Sequence, residues 1–93
     1  MSLTFEWNEE KARTNLKKHG VSFDEAKSLF NDPFLMTFPD PAHSVAETRY
    51  VSIRLSAQGH VLVVSHTDRA MNIRLIGCRK ATRTERRAYE ENR

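Results

Sequence analysis

A chain of 93 residues with 39 % hydrophobic residues, three glycines and three prolines has the length of one domain and excludes a linker or low-complexity polypeptide. Its one cysteine, Cys78, excludes an internal disulfide and a thiolate zinc cluster, and no apolar run approaches the ~20 residues of a membrane span. The net charge of +3 is unevenly spread: residues 1–68 carry seven Lys/Arg against nine Asp/Glu, residues 69–93 eight against three. Arg69, Arg74, Arg79, Lys80, Arg83, Arg86 and Arg87 therefore gather where guanidinium forks match phosphate oxygens, although a solvated basic helix would look the same. The opening residues lack the basic start and apolar stretch of a secretion signal, so a cytoplasmic protein without membrane contact is expected, folded as one domain over residues 1–93.

In chain order, Thr4-Phe5-Glu6-Trp7 reads as a short strand. Asn8 is a predicted N-cap, with Glu9 and Glu10 in the first turn of a helix running to about His19, and Gly20 suits the left-handed residue that ends it. Ser22-Phe23-Asp24-Glu25 has the pattern of a capping box, and Ala26, Leu29 and Phe30 give a second helix its apolar stripe before Asp32-Pro33 closes it. Phe34 to Phe38 is a further strand, which Pro39 and Pro41 end or confine to an edge. The period then becomes two: Tyr50–Leu55, Val61–Val64 and Ile73–Ile76 are predicted strands of an antiparallel meander, the first two joined through Ala57-Gln58-Gly59-His60. Thr82-Arg83-Thr84-Glu85 opens a C-terminal helix to about Asn92. Only Ala88 and Tyr89 on that helix are available to bury, so it is lightly docked or completed by a partner.

The run Phe5-Glu6-Trp7-Asn8-Glu9-Glu10-Lys11-Ala12-Arg13-Thr14-Asn15-Leu16-Lys17-Lys18-His19-Gly20-Val21-Ser22-Phe23 resembles the opening signature of the BrnT family. The resemblance continues through Asp32-Pro33, Glu47-Thr48-Arg49-Tyr50 and Val64-Ser65-His66-Thr67. It ends on the closing run from Ile73 to Glu90. It implies an α+β, RelE-like fold with two N-terminal helices packed on an antiparallel sheet. It also implies ribonuclease activity, with RNA as substrate, and neutralisation by a BrnA-type antitoxin, through whose complex alone operator DNA is met. The sequence departs from the family pattern at Asn8, where aspartate is usual, at Cys78, where Ala or Ser is common, and at Ala70-Met71-Asn72, where a glycine turn is expected.

RNA cleavage without a metal needs a base near the 2′-hydroxyl, a proton donor for the departing 5′-oxygen, and fixed cations around the phosphorane. The scattered carboxylates do not suggest a catalytic metal, and no cofactor is expected. Lys11, Asn15 and His19 recur every four residues on one helix face. His66 ends an apolar strand on the side of Leu62 and Val64 and is a candidate to titrate near neutrality. Arg74 and Arg79 are candidates to bracket the scissile phosphate, Arg74 being equally open to pairing with Asp68. The candidate catalytic set is therefore His19, His66, Arg74 and Arg79, with Lys11, Asn15, Lys80 and Arg83 binding substrate. His43 and His60 read as surface turn residues, and Trp7 as core rather than a base-stacking platform. The same cations would also suit a non-catalytic module that binds nucleic acid or a partner.

Overall fold

The computed structural model describes residues 3–92; Met1, Ser2 and Arg93 of the expected 1–93 domain lie outside the described residues. Five strands, β1 (Thr4–Glu6), β2 (Met36–Pro39), β3 (Tyr50–Leu55), β4 (Val61–Arg69) and β5 (Asn72–Lys80), form one sheet in the order β1-β5-β4-β3-β2. Three helices, α1 (Glu9–His19), α2 (Phe23–Lys27) and α3 (Arg83–Asn92), accompany it. The start signals act as expected in α1: the Asn8 side chain accepts from the Lys11 N–H at 3.1 Å, and Gly20 closes the helix at φ 70°. The capping box of α3 is complete, since Thr82 Oγ1 accepts from the Glu85 N–H at 3.1 Å and Glu85 accepts from the Thr82 N–H at 2.9 Å.

Three expectations need correction. The sheet is mixed, because β1 runs parallel to β5 while β2, β3, β4 and β5 form the antiparallel meander. The chain leaves β1 at one edge, passes through both helices, starts β2 at the other edge and returns, so β5 arrives beside β1 in the same direction. The box at Ser22 is half made: Ser22 caps the Glu25 N–H, but the Glu25 carboxylate turns to Ser56 at 2.6 Å and His60 at 2.7 Å, tying α2 to the β3–β4 turn. Finally, β4 and β5 are nine residues each, longer than the apolar runs that announce them. Their hairpin turns on Ala70 and Met71, with Ala70 at φ 57°.

Alternation along β4 sends Leu62 and Val64 into the helical layer, where they pack with Val21, Phe23, Ala26, Leu29, Ile73, Leu75 and Cys78. Truncating a side chain buried as fully as Leu62 costs about 2–5 kcal/mol in cores of this kind. Trp7 joins that core, edge-on to Phe23 with centroids 5.8 Å apart. A bulge displaces the alternation of β5: Gly77 pairs with Ser65 but Leu75 with His66, leaving Ile76 extra. Arg74 therefore does not share a face with Cys78, as plain alternation predicts. Arg74, Gly77 and Arg79 instead lie together on the face opposite the core.

Beyond β1 the outer edge of β5 is covered by α1, and one side chain makes the join. Asn15 Oδ1 accepts from the Cys78 N–H at 3.1 Å, while its Nδ2 donates to the Cys78 carbonyl at 2.8 Å and the Val21 carbonyl at 3.0 Å. The carboxamide pairs with Cys78 as another strand would.

Candidate active site

On the face away from the core, a cleft of about 470 Å³ opens between the end of α1, the loop after β2 and the start of α3. Val63, Ser65 and Gly77 form its floor, and Asn15, His19, Asp40, His43, Arg79 and Glu85 stand among its walls. Ser65 and Gly77 are paired across β4 and β5, and their small size leaves a low floor beside Arg79. Its guanidinium holds the Glu85 carboxylate in a bidentate pair at 2.7 and 2.9 Å. That fork, with the Thr82 cap, pulls the Glu85 carboxyl down to about 2 and raises the Arg79 guanidinium further. Burial pushes the Cys78 thiol up to about 12, so it stays protonated and inert in neutral water.

His19 ends α1 at the cleft, and its ring nitrogens have no hydrogen-bond partner among the described residues. It also borders a groove of about 510 Å³ along α1, where Lys11 and Lys18 lie. Of the residues expected to act together, the cleft thus gathers His19, Asn15 and Arg79, with Lys11 next door.

The others lie elsewhere. His66 points to the helical layer, is 1 % exposed, and has both ring nitrogens engaged: Nδ1 to Asp68 at 2.6 Å and Nε2 to Ser52 Oγ at 2.7 Å. Burial lowers its pKa, against the opposing pull of Asp68. Arg74 shares the cleft's face but not its lining, and pairs with Glu6 at 2.7 Å rather than with Asp68. Lys80 pairs with Leu62 in the sheet and is exposed, and Arg83 is exposed at the start of α3.

His43 sits exposed in a turn, as its sequence context predicts, and that turn borders the cleft. Its Nδ1 donates to Asp40 Oδ2 at 2.8 Å, and both residues line the cleft. The spacing Asp-x-x-His across a Pro41 turn was the available signal. His60 is a turn residue as expected, held by Glu25.

Fold and cleft together define a small α+β protein whose uncovered sheet face carries an imidazole- and guanidinium-lined site. The family model described as ribonuclease toxin, BrnT, of type II toxin-antitoxin system matches residues 7–85, and the chain belongs to that family. It is therefore a ribonuclease toxin of the type II toxin–antitoxin class, with an antitoxin partner and an RNA target implied by membership. The crystal structure of the Brucella abortus ribonuclease toxin BrnT is similar in fold, with TM-score 0.68 and 21 % identity over 88 % of this chain and 100 % of that one. No curated protein sequence matches the chain. Among the described residues no helix is long and apolar enough to cross a membrane, and no three His, Cys, Asp or Glu side chains come together to hold a metal ion.

Proposed function

We propose that the chain is a metal-independent endoribonuclease of RelE-like type that cleaves RNA in the cleft between α1 and α3. The observation that carries this is the meeting of His19 and Arg79 over the low floor of Ser65 and Gly77. A phosphodiester set there meets a guanidinium fork suited to phosphorane charge and an imidazole able to move a proton. The groove along α1, with Lys11 and Lys18 beside it, continues the path for the RNA backbone. Arg83 adds a cation at the start of α3 and Asn15 holds the wall upright, while Lys80, beside Leu62 on the helical-layer face, and Arg74 and His66 act from outside the cleft. Attack by the 2′-hydroxyl leaves a 2′,3′-cyclic phosphate and a 5′-hydroxyl end.

The toxin works in the cytoplasm and is silenced by a BrnA-type antitoxin, through which alone the pair meets operator DNA. The antitoxin docks on α3 and the neighbouring sheet face, where Arg83, Arg86 and Arg87 are exposed and an apolar groove lies open.

The test is incubation of purified protein with a defined RNA in EDTA. Discrete fragments ending in cyclic phosphate are expected, and a single 2′-deoxy substitution at a cut site should abolish cutting there. Intact RNA in EDTA with cutting restored by a divalent ion would refute metal independence.

A further inference from the structure

The cleft contains one proton-transfer group that the functional reading above leaves unused. We propose that His43, oriented by Asp40, is the general base of RNA cleavage in this protein, working opposite His19 as general acid. This rests on the cleft being the RNA-cleaving site.

The ionisable groups lining the cleft are His19 from α1, Asp40 and His43 from the loop after β2, Cys78 and Arg79 from β5, and Glu85 from α3. Three of them keep a fixed state across the neutral range. Cys78 stays a thiol, Arg79 stays charged, and Glu85 is locked as a carboxylate in the Arg79 fork. A carboxylate held so low is too weak a base to take a proton from a 2′-hydroxyl. Asp40 and the two imidazoles remain; Asp40 is taken up by His43, and the imidazoles differ in one respect.

His43 Nδ1 donates a hydrogen bond to Asp40 at 2.8 Å, so the nitrogen turned away from the carboxylate, and available as the basic one, is Nε2. His43 is two-thirds exposed, so that lone pair is accessible to substrate. An imidazole with a carboxylate behind it is built to accept a proton, because the partner orients the ring and stabilises the imidazolium that forms. His19 has no such partner and serves as the donor. His66, the other sequence candidate for proton transfer, lies behind the sheet with both nitrogens occupied.

The step balances within the substrate and these two rings. His43 Nε2 takes the 2′-hydroxyl proton as the 2′-oxygen bonds to phosphorus. The bond from phosphorus to the 5′-oxygen then breaks, and protonated His19 delivers its proton to that oxygen. Arg79 faces the charge that builds on the phosphorane in between. Asp40 is a positioning residue, acting through His43.

The experiment measures cleavage of a defined RNA against pH for the wild type, His43→Ala, Asp40→Asn, His19→Ala and Arg79→Ala, with circular dichroism to verify folding. The wild type should give a bell-shaped profile. His43→Ala should lose on the order of 10²-fold or more in rate and lose the acidic limb, and free imidazole in the buffer should restore part of the rate. Asp40→Asn should lose less and displace the acidic limb while keeping it. If His19→Ala and Arg79→Ala abolish cleavage but His43→Ala cuts at the wild-type rate with both limbs intact, His43 is not the base. If His19→Ala and Arg79→Ala also cut normally, the cleft is not the RNA site, and the broader reading falls with it.

Discussion

Arg79 holds the Glu85 carboxylate in its fork, so in the proposed reaction a phosphate has to compete with Glu85 for the same two N–H groups. Arg79→Ala removes the proposed phosphorane partner and at the same time leaves the Glu85 carboxylate without its guanidinium. RNA cleavage by this variant is expected to fall on the order of 10²-fold or more, with an unchanged circular dichroism spectrum. Arg79→Lys should fall between, since an ammonium keeps the charge but not the bidentate geometry. Full activity in the alanine variant would exclude Arg79 from the site. Asn15 is the opposite case, a cleft wall residue whose polar atoms are spent on the backbone. Asn15→Ala orphans the Cys78 N–H and C=O and the Val21 C=O, all served by the carboxamide. A loss of about 3 kcal/mol follows, a Tm lowered by roughly 15 °C. Thermal unfolding measures this, and an unshifted Tm would leave Asn15 a substrate contact only.

Two elements carry local conflicts that stability measurements expose. The β4–β5 hairpin sets Ala70 at φ 57°, a conformation that glycine adopts without the Cβ clash. Ala70→Gly should therefore stabilise the protein by about 0.5–1 kcal/mol, the relieved strain exceeding the added chain entropy. A lower Tm in that variant would contradict it. Across the sheet, Asp68, His66, Ser52 and Thr37 form a continuous hydrogen-bonded row spanning β4, β3 and β2, with His66 and Ser52 buried. Because burial depresses the His66 pKa below its ordinary 6.5, the unfolded chain takes up this proton first. Stability is then full above that value and declines as pH falls below it. Urea unfolding midpoints should drop between pH 7 and about 5.5 in the wild type and drop less in His66→Gln; equal slopes would remove His66 as the cause. The caps, the edge character of β2 and the meander were legible in the sequence, because a cap or an alternating run is a local signal. The parallel pairing of β1 and the bulge at Ile76 were not, since both are settled by contacts between segments far apart in the chain. The site suffered accordingly. His19 and Arg79, named from the sequence, do line one cleft, but that bulge decides which face Arg74 shares, and His43 reaches the cleft only because its loop folds over the sheet.

At the scale of the whole molecule, the sheet is covered on one face and half bare on the other. The helical layer buries the core, whereas α3 offers the second face little beyond Tyr89, which is 4 % exposed. Beside it an apolar groove of about 560 Å³ lies open, lined by Met36, Phe38, Val51, Ile53, Val63 and Tyr89. Phe38 is 53 % and Phe34 73 % exposed nearby. Arg83, Arg86 and Arg87 stand exposed on the same helix. An antitoxin seated here would bury this apolar centre, place its own carboxylates against the arginines, and close the approach to the adjoining cleft, which shares Val51, Val63 and Glu85 with the groove. Such an interface should exceed ~1,000 Å² and add to the stability of a small domain by mass action. The charged rim governs association rate and salt dependence, and the apolar centre governs residence time. Arg86→Glu with Arg87→Glu should therefore weaken binding to the cognate antitoxin by at least tenfold, mostly through slower association, and flatten its salt dependence. Phe38→Ala should instead speed dissociation. Titration calorimetry and stopped-flow mixing separate the two effects, and an unchanged affinity and salt slope in the double charge reversal would show that α3 is not where the antitoxin docks.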